Sequence, residues 1–159
     1  MNVMRRLLCS MVVAVLAGGC GGSSDFSLSN ARTDLDHACA SAVSNAPYDL
    51  HVTVDMHNGR SSSVSITGVS AVMTLSAVHG GWLQEVGYQY EVRNLAFTPD
   101  HVGAGSSATL KVTVPSACTN QSPNGGPVSY ADYAVALTVI TSAGTFRIGS
   151  QNKHRIIAA

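Results

Sequence analysis

The sequence has little charge. Charged residues make up 11% of its 159 positions, and the formal net charge is zero. Hydrophobic residues make up 45%, which is enough for a sizeable core and argues against extensive disorder. A nucleic-acid-binding protein needs an excess of basic side chains to contact phosphates, and this chain lacks that excess. Nucleic acid is therefore not an expected partner.

Catalytic and cofactor-binding motifs are also missing. No Gly-x-Ser-x-Gly, His-Glu-x-x-His or Cys-x-x-Cys pattern occurs. Residues 103–108 match the glycine fingerprint of dinucleotide-binding proteins, but they lie between extended segments with no helix after them, so we interpret them as a loop. The two glutamates, Glu85 and Glu91, are predicted to face solvent rather than an apolar catalytic pocket. We expect no enzymatic activity and no cofactor.

The N-terminal segment carries a targeting pattern. Arg5-Arg6 precede an apolar run, Leu7 to Ala17, which is long enough for a signal peptide and too short to span a membrane. Two glycines and Cys20 follow. This arrangement resembles the signal sequence and lipobox of bacterial lipoproteins. The resemblance implies that residues 1–19 are removed and that Cys20 carries several acyl chains, which together anchor a protein stably. The alternative is an ordinary cleaved signal with a chance cysteine.

The same resemblance sets the expected organisation of the mature chain. Residues 20–29, which contain a Gly-Gly-Ser-Ser run, are predicted to be a lipidated flexible tether, and residues 30–159 a single domain. Loss of Arg5 and Arg6 would leave seven basic and nine acidic side chains, a net charge of −2. We expect the protein on the extracytoplasmic side of a membrane, and on the outer membrane if the host has one.

The four cysteines have different expected fates. Cys9 would leave with the signal peptide and Cys20 would carry lipid, so Cys39 and Cys118 remain together in an oxidising compartment. We predict that these two form a disulfide. Two free thiols, or two ligands of one metal ion, are the alternatives.

The domain shows the alternation of apolar and polar residues that is typical of β-strands. The alternating runs are residues 50–56, 64–78, 86–92, 95–97, 110–114, 133–139 and 146–148. The parity of the second run changes at Gly68, which indicates a β-bulge, and Pro115 is expected to end the fifth. Between Thr33 and Val43 the apolar spacing favours a short helix over a first strand.

Seven or eight short strands without crossover helices predict an all-β antiparallel sandwich with Greek-key connections. The closing hairpin, in which Asp132-Tyr133 leads into residues 134–140, resembles the next-to-last strand of immunoglobulin-like and fibronectin-type domains. That resemblance implies a corner tyrosine at Tyr133 or at Tyr130. Val135 occupies the position of the second inter-sheet cysteine of antibody domains, so the predicted disulfide is expected to join the N-terminal segment to a loop instead.

Two surface features could bind a ligand. His51, Asp55 and His57 share one face of a strand and could contact zinc or copper, although the hydrated face of an outer strand has the same composition. Trp82, Tyr88 and Tyr90 could form an aromatic platform for a sugar or a partner protein. The parity of the two tyrosines favours a position in the core, and Trp82 follows a Gly-Gly turn that would place it at the rim.

These observations favour a lipid-anchored, non-catalytic binding or structural module of the bacterial cell envelope. Its expected partners are the membrane, through the N-terminal lipid, and an envelope protein or glycan that the sequence does not identify. The alternative is a periplasmic metal-binding protein that uses the His/Asp strand face.

Overall fold

The computed structural model describes residues 25–40, 45–118 and 129–158. Eleven strands lie in these residues: β1 Phe26–Thr33, β2 Asp36–Cys39, β3 Ala46–Asn58, β4 Val64–His79, β5 Gln89–Val92, β6 Ala96–Thr98, β7 His101–Val102, β8 Ser107–Cys118, β9 Ser129–Thr141, β10 Gly144–Gly149 and β11 His154–Ala158. Seven of them, β3–β6 and β8–β10, correspond to the alternating runs of the sequence. The predicted signal peptide and Cys20 lie outside the described residues.

The strands form two sheets that pack face to face. The smaller sheet has the order β1-β3-β8-β6, and the larger has the order β2-β11-β9-β4-β5, with β10 paired to β9. Every pair is antiparallel except β2 with β11, which run parallel. The predicted all-β immunoglobulin-like sandwich is therefore confirmed, with one parallel pair that the sequence did not suggest.

The core lies between the sheets and follows from the period of two along each strand. In β3 the residues Leu50, Val52, Val54 and Met56 are almost fully buried, and the residues between them are exposed. Strands β4 and β9 contribute the facing layer, with Met73, Leu75, Val135, Leu137 and Val139. Burial of this much apolar surface is the main force that holds the two sheets together.

Gly68 marks an irregularity in the longest ladder of the larger sheet. The register between β4 and β9 shifts between Ile66 and Gly68, and again between Leu75 and Ala77. Successive side chains of a regular strand point to opposite faces, so Val69 would face away from the core if Ile66 faced it. The extra residue at the bulge turns Val69 back toward the core. The predicted bulge at Gly68 is confirmed.

The prediction that Pro115 ends its strand is wrong. Strand β8 continues to Cys118, and Pro115 lies opposite Asp49 in the β3–β8 ladder. Strand β6 pairs with β8 only at Lys111–Thr113, so beyond that point no described strand flanks β8 on its second side. A proline has no N–H to donate, and an edge of this kind is where a sheet tolerates one.

The N-terminal part of the domain is extended where it is described. The helix that the apolar spacing favoured from Thr33 to Val43 is not formed in the described residues up to Ala40, because Asp36–Cys39 pair with β11. Strand β1 begins at Phe26, inside the range predicted as tether. The Phe26 side chain is buried and lies 5.1 Å from the Phe146 ring, which attaches this strand to the larger sheet.

The predicted disulfide between Cys39 and Cys118 is confirmed. Its two Cα atoms lie 5.7 Å apart, and both residues are buried. The expectation that it joins the N-terminal segment to a loop is wrong, because Cys118 is the last residue of β8 and Cys39 is the last residue of β2. The bridge therefore links the smaller sheet to the larger one.

The described residues contain strands, turns and bends only. No helix among them is long and apolar enough to cross a membrane.

Candidate functional site

The two sheets leave an open cleft at the end of the sandwich where β6 stops. Residues 114–118 of β8 have no described strand on that side, whereas the larger sheet continues past β4 to β5. The resulting cleft has a volume of about 310 Å³. The described residues that line it are Met73, Gln84, Tyr88, Tyr90, Ser116, Ala117, Tyr133 and Ile156. We call this feature the tyrosine cleft.

The exposure of Tyr88 and Tyr90 corrects the prediction that they lie in the core. Tyr90 pairs with Met73, and the Tyr88 carbonyl accepts a hydrogen bond from the Leu75 N–H at 2.9 Å, so both align with buried residues of β4. The two tyrosines therefore point to the same face of the larger sheet as the core residues of β4. Nevertheless the two residues are 49% and 42% exposed, because the opposite sheet does not reach far enough to cover them.

A loop between β4 and β5 forms one wall of the tyrosine cleft. Gly80 starts the loop with a φ of 80°, and a Cβ atom there would lie 2.5 Å from Ser129 Oγ. The same Oγ accepts a hydrogen bond from the Gly81 N–H at 3.0 Å. Gly87 ends the loop with a φ of 99°, and its N–H donates to the Leu75 carbonyl at 2.8 Å. Both glycines occupy the left-handed region that other residues rarely adopt.

Trp82 attaches this loop to the larger sheet. Its indole Nε1–H donates a hydrogen bond to the Tyr133 hydroxyl at 3.3 Å, and its ring is partly buried against the core. Tyr133 lines the tyrosine cleft, so the single tryptophan of the chain is hydrogen-bonded to a residue of the cleft wall. This position differs from a tyrosine corner, in which the hydroxyl bonds to nearby backbone.

Tyr48 and His154 form a hydrogen-bonded pair near the smaller-sheet wall. The hydroxyl of Tyr48 lies 3.1 Å from His154 Nε2, and His154 Nδ1 lies 3.0 Å from the Asp34 carbonyl oxygen. The geometry fits a neutral imidazole that donates to Asp34 from Nδ1 and accepts from Tyr48 at Nε2. The His37 ring stacks on Tyr48 with a centroid distance of 3.9 Å.

Burial shifts the pKa values of these groups in the direction that keeps them neutral. Desolvation raises the pKa of Tyr48 to about 12, against a hydrogen bond from Ser116 that lowers it. Desolvation also raises the pKa of Tyr133 above its ordinary value and lowers the pKa of His154. The hydroxyls around the tyrosine cleft therefore stay protonated at neutral pH and can both donate and accept hydrogen bonds.

The tyrosine cleft combines neutral polar groups with aromatic surface. None of the described residues that line it is charged. Gln84 Oε1 is buried and has no hydrogen-bond partner among the described residues. A buried acceptor without a partner is uncommon in folded proteins.

The segment that contributes Gln84, Tyr88 and Tyr90 to the cleft, which we call its rim, is unusually apolar for a surface. Four of the six exposed large hydrophobic residues in the described part of the chain lie between positions 83 and 90: Leu83 at 73%, Val86 at 62%, Tyr88 at 49% and Tyr90 at 42%. A patch of neighbouring exposed apolar residues marks an interaction site more often than a single exposed apolar residue does. Sequence reasoning named the two tyrosines and Trp82, but it missed Leu83, Gln84 and the contribution of Ser116 from the other sheet.

The candidate metal ligands of β3 lie on its exposed face and contact separate partners. His51 Nδ1 lies 3.1 Å from Asp34 Oδ2, Asp55 accepts hydrogen bonds from Asn30 and Thr109, and His57 Nδ1 lies 3.0 Å from Ser107 Oγ. In the described part of the chain, no three His, Cys, Asp or Glu side chains are grouped so that they could hold a metal ion. The geometry therefore gives the metal-binding alternative no support.

Tyr130, the second candidate for a corner tyrosine, lies on the outer face of β9. Its ring stacks on His79 with a centroid distance of 4.8 Å, and the Arg155 guanidinium carbon lies 4.1 Å from its centre. Arg155 also pairs with Asp132 at 2.7 Å. This cluster stabilises the outer surface of the larger sheet and does not line the tyrosine cleft.

No protein-family model and no curated protein matches the chain. Among solved structures, it is similar to PapD-like domain 7 of human CEP192, with 12% identity, coverage of 98% of this chain and 99% of that one, and a TM-score of 0.38. It is also similar to AggA, the major subunit of aggregative adherence fimbriae type I of Escherichia coli, with 9% identity, coverage of 85% and 96%, and a TM-score of 0.31. A third similarity, to a GH20 exo-β-N-acetylglucosaminidase of Vibrio harveyi, has 11% identity, coverage of 80% and 18%, and a TM-score of 0.25. Similarities this weak carry no conclusion about function.

Proposed function

We propose that this chain is a non-catalytic binding module of the bacterial cell envelope, held by lipid on Cys20 on the extracytoplasmic side of a membrane, and that it binds through the tyrosine cleft. The observation that carries the binding role is the tyrosine cleft itself, an uncharged opening between the sheets with an exposed apolar rim. Aromatic residues, and tyrosine in particular, are enriched at sites that bind partners because they bury a large area at low cost in entropy.

The compartment is supported by the chemistry of the cysteines. The Cys39–Cys118 bridge is of the kind that forms and persists in oxidising compartments. The lipobox-like segment before Cys20 supplies the route to such a compartment and the anchor. We expect Cys20→Ser to release the protein from the membrane fraction into the soluble fraction. Membrane association that is unchanged in this variant would contradict lipid anchoring.

The binding role can be tested with the full mature chain carrying Cys20→Ser, purified in its oxidised form. The assay is cosedimentation with washed bacterial envelope fragments. Leu83→Ser should weaken sedimentation about tenfold, because Leu83 loses the burial of an apolar side chain, which contributes about 1–2 kcal/mol for a residue of this exposure. Leu35→Ser is the matched control, since Leu35 is 71% exposed and Leu83 is 73% exposed.

Leu83 is next to Gln84 in the loop that forms one wall of the tyrosine cleft. Leu35 precedes β2 and lines a separate depression with Asp36 and Arg155. Its substitution removes as much exposed apolar surface as that of Leu83, so general stickiness would be reduced equally in both variants. Equal sedimentation of the two variants, or no sedimentation of the parent chain, would overturn the proposal that the cleft and its rim bind an envelope component.

A further inference from the structure

The rim of the tyrosine cleft brings together the exposed side chains of Leu83, Val86, Tyr88 and Tyr90. We propose that this rim docks on the headgroup region of the lipid bilayer that holds the acyl chains of Cys20, so that the domain lies with the tyrosine cleft against its own membrane. The inference names a lipid surface as the partner in the binding function proposed above, and it rests on that proposal.

The side chains of the rim are of the kinds that enter a membrane interface. Leucine and valine are aliphatic, and tyrosine combines an apolar ring with a polar hydroxyl, which favours the level of the headgroups. Residues 80–89 contain one charged side chain, the exposed Glu85, and neither lysine nor arginine. Docking therefore depends on the burial of apolar surface and not on attraction to anionic lipids.

A β-turn makes the rim an ordered feature of the surface. The Tyr88 N–H donates a hydrogen bond to the Glu85 carbonyl at 3.0 Å, which closes the turn. Val86, at the centre of the turn, is 62% exposed, and the Gly87 N–H beside it donates to the Leu75 carbonyl at 2.8 Å. Because these two N–H groups are satisfied within the chain, they lose no hydrogen bond to water when the turn enters a less hydrated layer. An ordered turn also loses little conformational freedom on docking.

The position of the anchor allows the rim to reach the bilayer. Cys20 and Asp25, the first described residue, are five positions apart, so the chain between them spans at most about 18 Å. Strand β1 starts directly after Asp25, and only β3 separates it from β8, which forms the smaller-sheet wall of the cleft. Two strand spacings correspond to about 10 Å. The lipid can therefore stay in the bilayer while the cleft side of the sandwich touches its surface.

Tethering also makes a weak interaction sufficient. A chain held within about 18 Å of a bilayer meets lipid at a far higher effective concentration than a free chain does. Burial of a few side chains, which would hold a soluble protein on vesicles only in part, is then enough to fix the orientation of the anchored domain.

The lipid surface is tested in isolation with vesicles of pure phosphatidylcholine and the mature Cys20→Ser chain. We expect cosedimentation that is half complete at a lipid concentration on the order of 1 mM, as for a few inserted side chains. Leu83→Ser should raise this concentration about tenfold, because it removes an apolar side chain from the interface. Leu35→Ser, at similar exposure outside the rim, is the matched control and should leave vesicle binding unchanged.

The lipid composition tests the driving force. Replacement of about a third of the lipid by phosphatidylglycerol, or addition of about 0.5 M sodium chloride, should change binding less than about twofold, since the rim has no basic residue. Binding that requires phosphatidylglycerol and is lost in salt would overturn the proposal. So would the absence of sedimentation up to about 20 mM phosphatidylcholine, or equal sedimentation of the Leu83→Ser and Leu35→Ser variants.

The orientation is tested with the lipidated chain in vesicles whose acyl chains carry bromine, which quenches tryptophan emission at close range. Trp82→Phe removes the single tryptophan, and a new one is introduced at one exposed position at a time. Val86→Trp, in the rim, should be quenched strongly. Ser61→Trp, in the loop between β3 and β4, is the matched control and should be quenched little. Any affinity of tryptophan itself for lipid acts on both variants alike.

The control position also reports the alternative orientation. Phe26 pairs with Asn58, so the loop that contains Ser61 lies at the end of the sandwich where β1 begins. A domain that stands upright on its anchor would bring this end to the bilayer. Equal quenching at the two positions, or stronger quenching at position 61, would overturn the proposed orientation.

The outcomes separate this inference from the proposed function. Leu83-dependent sedimentation with envelope fragments, together with no binding to phosphatidylcholine vesicles, would overturn the lipid surface and leave binding to another envelope component standing. Loss of both would overturn the two proposals together. If Cys20 proved to carry no lipid, the anchored orientation would be wrong, whereas the vesicle experiment would still decide whether the rim binds lipid.

Discussion

Removal of the inter-sheet disulfide should destabilise the domain strongly. The bridge joins residues separated by 79 positions and closes a long loop of the unfolded chain. In the chain-entropy model a loop of this length corresponds to about 4.5 kcal/mol of stability at 25 °C. At roughly 4 °C per kcal/mol for a domain of this size, the melting temperature should fall by about 15–20 °C. The perturbation is the double variant Cys39→Ala/Cys118→Ala.

The structure adds a local prediction to this global one. Strand β2 is held by a four-residue parallel ladder with β11, and its last residue, Cys39, is tied to β8. Without the bridge, β2 should lose amide protection before the rest of the larger sheet does. Hydrogen exchange of residues 36–39 therefore reports the local effect, and thermal unfolding followed by circular dichroism reports the global effect.

Chemical reduction of the parent chain is the control for the double variant, because it breaks the bridge without creating a cavity. The reduced parent chain and the double variant should melt within about 5 °C of each other, since each missing sulfur leaves only a small void. A double variant that melts within about 3 °C of the oxidised parent chain would refute the argument that the bridge restricts the unfolded state.

Two further perturbations test the surroundings of the tyrosine cleft. Acidification should destabilise the domain, because burial lowers the pKa of His154 and its neutral ring bonds to Tyr48 and Asp34. Its contribution is complete above the ordinary histidine pKa of about 6.5 and is lost as the pH falls through the lowered folded value, with a slope of up to about 1.4 kcal/mol per pH unit. Urea unfolding at pH 7.5 and at pH 5 measures the loss, and a His154→Gln variant with the same pH dependence as the parent would contradict the assignment. Gly80→Ala should lower the free energy of unfolding by about 2 kcal/mol, because the backbone φ is 80° and the new Cβ atom would lie 2.5 Å from Ser129 Oγ. Gly81→Ala is the control and should leave the free energy of unfolding almost unchanged, because its Cβ atom would meet nothing within 4 Å. Equal losses of stability in the two variants would refute the argument.

Local patterns were sufficient to predict the strands whose two faces differ in polarity. Strand β3 alternates over its central residues because one face meets the core and the other meets water. The closing hairpin of β9 and β10 and the bulge at Gly68 follow from equally local signals. The disulfide was predictable from the number of cysteines once the N-terminal pair had been assigned to the leader and its lipid.

Features that depend on distant partners were not predictable. The spacing of residues 33–43 is helical, yet Asp36–Cys39 form a strand because β11, more than 100 positions later, offers an edge. The alternation of Tyr88 and Tyr90 gave their direction but not their exposure, which is set by the end of β6 in the other sheet. The tyrosine cleft is therefore a property of unequal sheet widths, and no short stretch of the sequence encodes that difference.

Asn58 is a further case in which a local signal had a different structural role. Asn58-Gly59 has the composition of a tight hairpin turn, but the Asn58 side chain is fully buried and its amide donates to the carbonyl oxygens of Ser62, Val102 and Gly103. It holds together two loops that are more than 40 positions apart in the chain. The residue type was informative, and its partners were not visible in the sequence.

The most direct test of the account is amide hydrogen exchange of the mature Cys20→Ser chain with and without washed bacterial envelope fragments. The account predicts added protection at residues 83–90 and at Ser116 and Ala117, with the outer face of β3 unaffected. Added protection centred on His51 and His57, with none in the tyrosine cleft, would contradict it.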